Sequence, residues 1–415
     1  MTETNWAGNV AYSARTLHRP TSLDQLQEIV RAAPRLHVLG SRHAFNPIAD
    51  STELLTLADL PQQVHVDANA RKASVPAAMT YGAVAQQLEA AGCALHNLAS
   101  LPHVSVAGAV ATGTHGSGDG NGNLATAVAG VDLVTSNGEL LHVGRDDPDF
   151  DGIVVHLGAL GAVTQLTLDV EPTYKIGQTV YEDLSWRSLL ENFDAITSSG
   201  YSVSLFTTWG DLIEQVWVKA RVTDPAWSAE QELFGARAAS AEVHPAPGMD
   251  PHNCTPQLGS SGAWWQRLTH FRLEFTPSVG NELQSEYMVA RSDALAAIDA
   301  IRGISHRIRP LLIVGEIRTV AADRLWLSPA YMRDTVCLHF TWQPDQPSVE
   351  AVLLELESVL SPFGARPHWG KLFAARSDTV ADLYPRLPDF LRLKARLDPR
   401  DAFTNAWFTN RLRGS

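Results

Sequence analysis

Gly40-Ser41-Arg42-His43-Ala44-Phe45-Asn46 and Thr112-Gly113-Thr114-His115-Gly116-Ser117-Gly118-Asp119-Gly120-Asn121-Gly122 are the two stretches on which the fold reading turns. The first follows directly on a short apolar strand pattern, Leu36-His37-Val38-Leu39. The second follows a run of small apolar residues, 104–111. Backbone with little side chain approaches a phosphate closely, and successive N–H groups form an anion-binding nest. Neither loop is a G-x-G-x-x-G or a Walker A sequence, so the Rossmann and P-loop fingerprints are missing. Two turns that simply require glycine would give the same composition. The small residues Ala107, Gly108, Ala109 and Ala111 tilt the reading toward an anionic cofactor lying along the backbone.

Outward from these loops, Ser22 caps a helical pattern of Leu23, Leu26, Ile29 and Val30 that Pro34 stops. Strand pairs are predicted at 64–67 and 73–76, and a helix capped by Thr80 and closed by Gly92. Asn137-Gly138 between apolar runs predicts a hairpin with a type I′ turn. A further strand is predicted at 162–170. Residues 1–172 therefore read as a mixed α+β unit. Beyond Tyr174, strands are predicted at 202–208, 215–222, 271–275, 311–320 and 335–342, with helices at 291–302 and 348–360. This is the pattern of a second domain, 173–376, on an antiparallel sheet. The tail, 377–415, reads as helical around a polar break at Asp398-Pro399-Arg400-Asp401.

The chain has 415 residues, 45% hydrophobic and 19% charged, which suits two or three globular domains. Its formal charge of −13 disfavours nucleic acid or an anionic membrane as partner. No apolar run has the length of a membrane span. Met1 to Trp6 lacks the basic and apolar regions of a signal peptide. Cys93, Cys254 and Cys337 fit neither a zinc site nor a disulfide framework, so a reducing cytoplasm is the expectation. Nothing in the pattern demands association, and a monomer is expected.

Glu316 and Arg318 lie two apart in an otherwise apolar strand pattern and so share a face. Charges there must be paired, exposed or in use, and an ion pair on a solvated face satisfies that as well as a site does. With Thr341, and Lys371 after Pro367-His368-Trp369-Gly370, they would make a pocket that reads hydroxyls and steadies an anion. His43, His115 and His368 are three of 15 histidines, and single histidines are commonly structural. No His-Glu-x-x-His spacing occurs and no metal is expected.

Taken together, Gly40 to Asn46, Ser100-Leu101-Pro102-His103-Val104-Ser105-Val106-Ala107-Gly108 and Thr112 to Gly118 resemble the FAD domain of the vanillyl-alcohol oxidase type. Glu316-Ile317-Arg318-Thr319-Val320-Ala321-Ala322-Asp323, His339-Phe340-Thr341-Trp342 and Arg366-Pro367-His368-Trp369-Gly370-Lys371 resemble the alditol (xylitol) oxidases. The resemblance implies an α+β fold: a two-subdomain FAD-binding domain, 1–172 completed by 377–415, with an antiparallel-sheet substrate or cap domain at 173–376. It implies FAD bound covalently through His43. Gly40, Ser41, Arg42, Ala44, Phe45, Ser100, Ser105, Gly108, Thr112, Gly113, Thr114, His115 and Val163 would line the cofactor, with His368 near its ring. Ser100, Glu316, Arg318 and Thr341 would contact a polyol, and Lys371 would lie at the reactive end of the flavin. The implied reaction is oxidation of a terminal alditol hydroxyl with O2 reduced to H2O2, with Arg318, Lys371 and Glu316 as catalytic residues. The rivals are an aldonolactone oxidase or dehydrogenase of the same flavin family, and a non-catalytic carbohydrate-binding protein, suggested by 11 Trp. A nicotinamide dehydrogenase lacks its fingerprint.

Overall fold

The computed structural model describes residues 3–223, 229–275 and 281–414. Toward the N-terminus, Thr16–His18, Glu53–Leu55 and His37–Val38 form a small parallel sheet in the order first, second, third. A second, antiparallel sheet runs His65–Asp67, Lys72–Pro76, Ala162–Asp169, Val128–Val134, Leu140–Gly144. Leu23–Ala32 and Tyr81–Ala90 are the helices read from the sequence, each with its N-cap side chain bonded: Gln25 N–H to Ser22 and Ala83 N–H to Thr80. The predicted hairpin forms, but its turn differs. Gly138 has φ +76° while Asn137 is not left-handed. Gly138 N–H donates to Thr135 O, and Thr135 N–H to Glu139 O. That is a type I turn closed by one left-handed glycine, not a type I′ turn.

The later half builds one ten-stranded antiparallel sheet. Its centre runs Lys175–Ser185, Leu212–Arg221, Ser202–Thr207, Leu312–Val320, Thr335–Trp342, Leu283–Ala290. All eight residues of Thr335–Trp342 are buried, because both faces are covered. One face presents Val336, Leu338, Phe340 and Trp342 to the helix side, where Ala294–Gly303 and Gln346–Leu360 pack together. There Trp186, Trp209, Phe340 and Trp342 stack in series at 5.1–5.8 Å. Trp209, Trp217, Trp264, Trp342 and Trp369 are fully buried. Much of the tryptophan content is thus core, which removes the observation behind a carbohydrate-binding reading. The opposite face carries Thr335, Cys337, His339 and Thr341.

Two departures from expectation matter. Residues 271–275 do not form a strand: Phe271 makes a single bridge to Cys254 and the chain then turns. Their aromatic, strand-favouring composition serves packing there, with Phe271 against the His244 ring. Conversely, Lys175–Ser185 and Leu283–Ala290 are strands that hydropathy conceals, since Gln178, Thr179, Ser285 and Glu286 are polar yet buried.

The C-terminal helices Ser377–Leu383 and Leu387–Leu397 precede the polar break. Asp398 is buried there, accepting from Ala402 N–H, Phe403 N–H and Lys394 Nζ at 2.8–2.9 Å. The chain then returns to its beginning. Leu36 N–H donates to Ala402 O, and Asn405 Nδ2 to the carbonyls of Ile48 and Asp50. Among the described residues no helix is long and apolar enough to cross a membrane.

Candidate active site

The polar face of the large sheet is ordered by register. Glu286, His339, Glu316 and Phe206 stand directly opposite one another on four adjacent strands. Cross-strand neighbours point the same way, so this row faces one side, with Arg318 and Thr341 two residues along on the same face. The 368–372 loop is sewn to the edge of this sheet: His368 N–H donates to Glu286 O and Leu372 N–H to Gln284 O. That brings Lys371 beside Glu286. The same loop holds the first glycine-rich segment, through Phe45 N–H to Gly370 O and Asn46 Nδ2 to the carbonyls of Trp369 and Lys371.

A cavity of about 520 Å³ lies between this face and the glycine-rich loops. It is lined by Gly40, Ser41, Arg42, His43, Ala44, Phe45, Ser100, Ser105, Gly108, Thr112, Thr114, His115 and Val163 on one side. Glu286, Glu316, Arg318, His339, Thr341, His368 and Lys371 line the other. Every predicted site residue except Gly113 therefore meets one cavity. Gly113 turns away with φ +63°, toward Pro329, and lines a small separate void. A left-handed backbone there favours glycine.

Several features fit a large planar cofactor laid along the loops. Ala77, Ala78, Ala107, Gly108 and Ala111 offer a wall without bulky side chains. Ser41 and Ser105 cross-brace it, Ser105 N–H donating to Ser41 Oγ at 2.9 Å. A Cβ on Gly40 or Gly108 would lie 2.5 or 2.7 Å from Ser105 Oγ. His43 stacks on Trp6, ring centroids 5.5 Å apart, and its buried Nδ1 has no hydrogen-bond partner among the described residues. Burial, aided by His103 and opposed by a backbone bond to Ser41, pushes the His43 pKa down to about 4. Arg42, with φ +65°, pairs with Glu3.

The centre of the polar face is Glu286, a residue that sequence reasoning misses. One oxygen accepts from Arg318 Nη2 at 2.6 Å, the other from Lys371 Nζ at 2.7 Å. Burial opposes its ionisation, but Lys371, Arg318 and His115 overcome this and hold the carboxyl well below its ordinary range. Lys371 also donates to His339 Nδ1 at 2.8 Å, so His339 carries its proton on Nε2 and donates to Thr341 Oγ1 at 3.0 Å. For Lys371 burial outweighs Glu286, and its pKa falls below the usual lysine value. Arg318 Nη1 reaches Ser100 Oγ at 3.4 Å, and its Nε lies 3.5 Å from Glu316 Oε2. Glu316 accepts from His270 Nε2 at 2.9 Å. Against its burial, Arg318 and His270 hold Glu316 well below its ordinary value.

His115, Glu286 and His368 place possible ligand atoms within 4.8 Å of one another. Both Glu286 oxygens are already engaged by cations, and a metal ion would enter beside Arg318 and Lys371. Two carboxylates, Glu286 and Glu316, are thus matched by two cations, Arg318 and Lys371, which leaves no uncompensated carboxylate to draw a divalent cation. Sequence reasoning also misses His339, His270 and Lys219. The available signal for Glu286 is its own burial-defying charge, Gln-Ser-Glu before the apolar Tyr287-Met288-Val289-Ala290.

Comparison with known proteins agrees with this geometry. Residues 14–144 match the FAD binding domain model, and 281–411 match the model of D-arabinono-1,4-lactone oxidase. The chain is 46% identical to the alditol oxidase of a Streptomyces species, over 99% of both chains. It is 26% identical to the L-gulono-1,4-lactone dehydrogenase of Mycobacterium tuberculosis, over 99% of this chain and 98% of that one. Among solved structures, cholesterol oxidase from B. sterolicum superposes with a TM-score of 0.80 at 15% identity, covering 98% of this chain and 96% of that chain. The fold is the vanillyl-alcohol oxidase-type FAD fold, with an FAD-binding domain and a cap domain.

Proposed function

The chain belongs to the alditol oxidase family, and on that premise we propose that it oxidises the terminal CH2OH of an acyclic polyol such as xylitol or sorbitol to the aldose, reducing O2 to H2O2. The observation that carries this reading is the buried polar row, two carboxylates with Arg318 and Lys371, facing the cavity that the glycine-rich loops also line. FAD, which the residues of those loops would hold, would supply the two-electron acceptor for the alcohol and the route to O2.

The protein's own work is selection, orientation and charge. A polyol offers several hydroxyls, and Ser100, Glu316 and Thr341 supply donors and acceptors for them on one wall. Arg318 and Lys371, each held by Glu286, would donate to the reacting oxygen and stabilise the negative charge that develops on it. Thr341 is held by His339, and His339 by Lys371, so these groups are oriented before substrate arrives. Analogues without the hydroxyls leave buried polar groups unpaired and bind poorly. His43 Nδ1, buried and unpartnered, is our assignment for a covalent bond to the flavin. Residues 1–172 with 377–415 form the cofactor unit in this reading, supported by the bonds that tie Ala402 to Leu36 and Asn405 to Ile48. The substrate unit is 173–376. Three free, buried cysteines suit an enzyme working in a reducing cytoplasm.

The test is an ultraviolet–visible spectrum before and after acid precipitation, followed by a peroxide assay. Yellow, fluorescent precipitated protein and peroxide formed from xylitol or sorbitol are expected. Colour left wholly in the supernatant removes the His43 linkage. The match to the lactone oxidase model makes an aldonolactone substrate the second reading. Peroxide from gulonolactone but not from xylitol would establish it, and turnover with a dye alone would indicate a dehydrogenase.

A further inference from the structure

Behind the polar row lies a pair of ionisable side chains that the mechanism above does not use. Lys219, on the Leu212–Arg221 strand, is 1% exposed. Its Nζ donates to Leu268 O at 2.6 Å, Thr269 O at 3.1 Å and His270 Nδ1 at 3.1 Å. Three acceptors match the three N–H groups of an ammonium; burial pushes the Lys219 pKa down to about 7, with the Glu316 carboxylate opposing the fall. His270 is 5% exposed and is gripped edge-to-face by Phe206 and Trp217, both at 5.3 Å.

We propose that Lys219 and His270 are positioning residues that fix Glu316 as an ionised acceptor for a substrate hydroxyl and so set the enzyme's affinity for polyols. The inference rests on the polyol reading and deepens it. Because Lys219 donates to Nδ1, that nitrogen must present its lone pair, and the single ring proton sits on Nε2, pointing at Glu316 Oε1. A buried, neutral imidazole bonds the carboxylate without cancelling its charge. Burial and the Lys219 charge push His270 down to about 4, consistent with a neutral ring. Oε1 is thereby occupied. Oε2, whose contact among the described residues is Arg318 Nε at 3.5 Å, is left for the ligand. A charged acceptor bonds a hydroxyl more strongly than a neutral one, but only if its rotamer is held. The aromatic grip on His270 and the triple anchoring of Lys219 provide that hold.

A merely structural role, in which Lys219 only ties 268–270 to the sheet, makes different predictions. His270→Phe keeps the aromatic packing and removes both hydrogen bonds. His270→Gln leaves an amide donor able to reach Glu316. Lys219→Met keeps the stem and removes the donor to Nδ1. The holoenzymes are compared with xylitol at equal flavin content and matched Tm. His270→Phe and Lys219→Met are expected to raise KM on the order of tenfold while kcat changes less than about threefold, as for a lost bond to a charged group. His270→Gln is expected to recover most of the KM. An unchanged KM in either His270→Phe or Lys219→Met overturns the proposal, as does a Gln variant no better than Phe. Should the Phe variant fail to accumulate, the Gln and Met variants together separate the two roles: a KM raised in Met and near wild type in Gln supports positioning, and equal values overturn it. A wild-type enzyme that oxidises no polyol overturns the functional reading itself, and is distinguished because failure of the positioning pair leaves wild-type turnover of xylitol intact.

Discussion

Replacing Glu286 by Gln removes one negative charge from the middle of the polar row while keeping its shape. Arg318 and Lys371 would then face each other with Glu316 as their remaining carboxylate. Removing one partner of a buried ion pair costs about 3–5 kcal/mol, because the other charge stays buried and unmatched. Little solvent screening softens that here, since the side chains of Glu286, Arg318 and Lys371 are 1%, 6% and 14% exposed. For 415 residues, at about 2.1 cal/mol/K per residue, the unfolding entropy is roughly 0.9 kcal/mol/K. The melting temperature should fall by about 3–6 °C on that basis. Calorimetry or urea unfolding of holoprotein at neutral pH, at matched flavin content, measures it. The folded carboxyl is held well below its ordinary 4.5 by Lys371 and Arg318. The stability from its ionisation is therefore fully present above that value and is lost as pH falls through the folded value. The gap between wild type and variant should be flat near neutrality and close as the pH drops below 4.5. A gap under about 1 kcal/mol at neutral pH, the size of a surface pair, refutes the role given to Glu286. So does a gap that widens in acid.

Arg318→Ala should raise the barrier for kcat/KM by roughly 2–4 kcal/mol, the loss typical of a donor to a developing oxyanion, and steady-state peroxide kinetics would show it. A value near wild type removes Arg318 from the chemistry. Gly158→Ala should destabilise by about 2 kcal/mol or more, since φ is +73° and the new methyl would overlap the His37 imidazole. Gly120→Ala, with nothing within 4 Å of the added carbon, should stay within about 0.5 kcal/mol. Equal denaturation midpoints for these two variants would contradict the close approach of Gly158 to the His37 ring.

How far the sequence reads depends on which interactions are local. Ser22 and Thr80 are legible as helix caps because the groups they satisfy lie three residues away. Glu316 and Arg318 are legible as a same-face pair because a strand repeats every two residues. The type I′ expectation fails because Asn137-Gly138 sits one position later in the loop than a two-residue turn needs. Residues 271–275 carry strand-favouring side chains but find no neighbouring strand to pair with. Glu286 is invisible for the opposite reason. Its strand is buried on both faces, so polar and apolar residues do not alternate along it.

By itself, then, the sequence determined that glycine-rich backbone would be available in two places, that one strand would carry paired charges on a single face, and that 368–371 would place a cation near the end of the chain. Only the tertiary structure decided that these parts share one cavity, that Glu286 unites Arg318 with Lys371, and that Lys219 reaches Glu316 through His270. The reason is physical: capping and strand parity are set by neighbours a few residues apart, whereas the row Glu286, His339, Glu316 exists only through the register in which three separate strands pair.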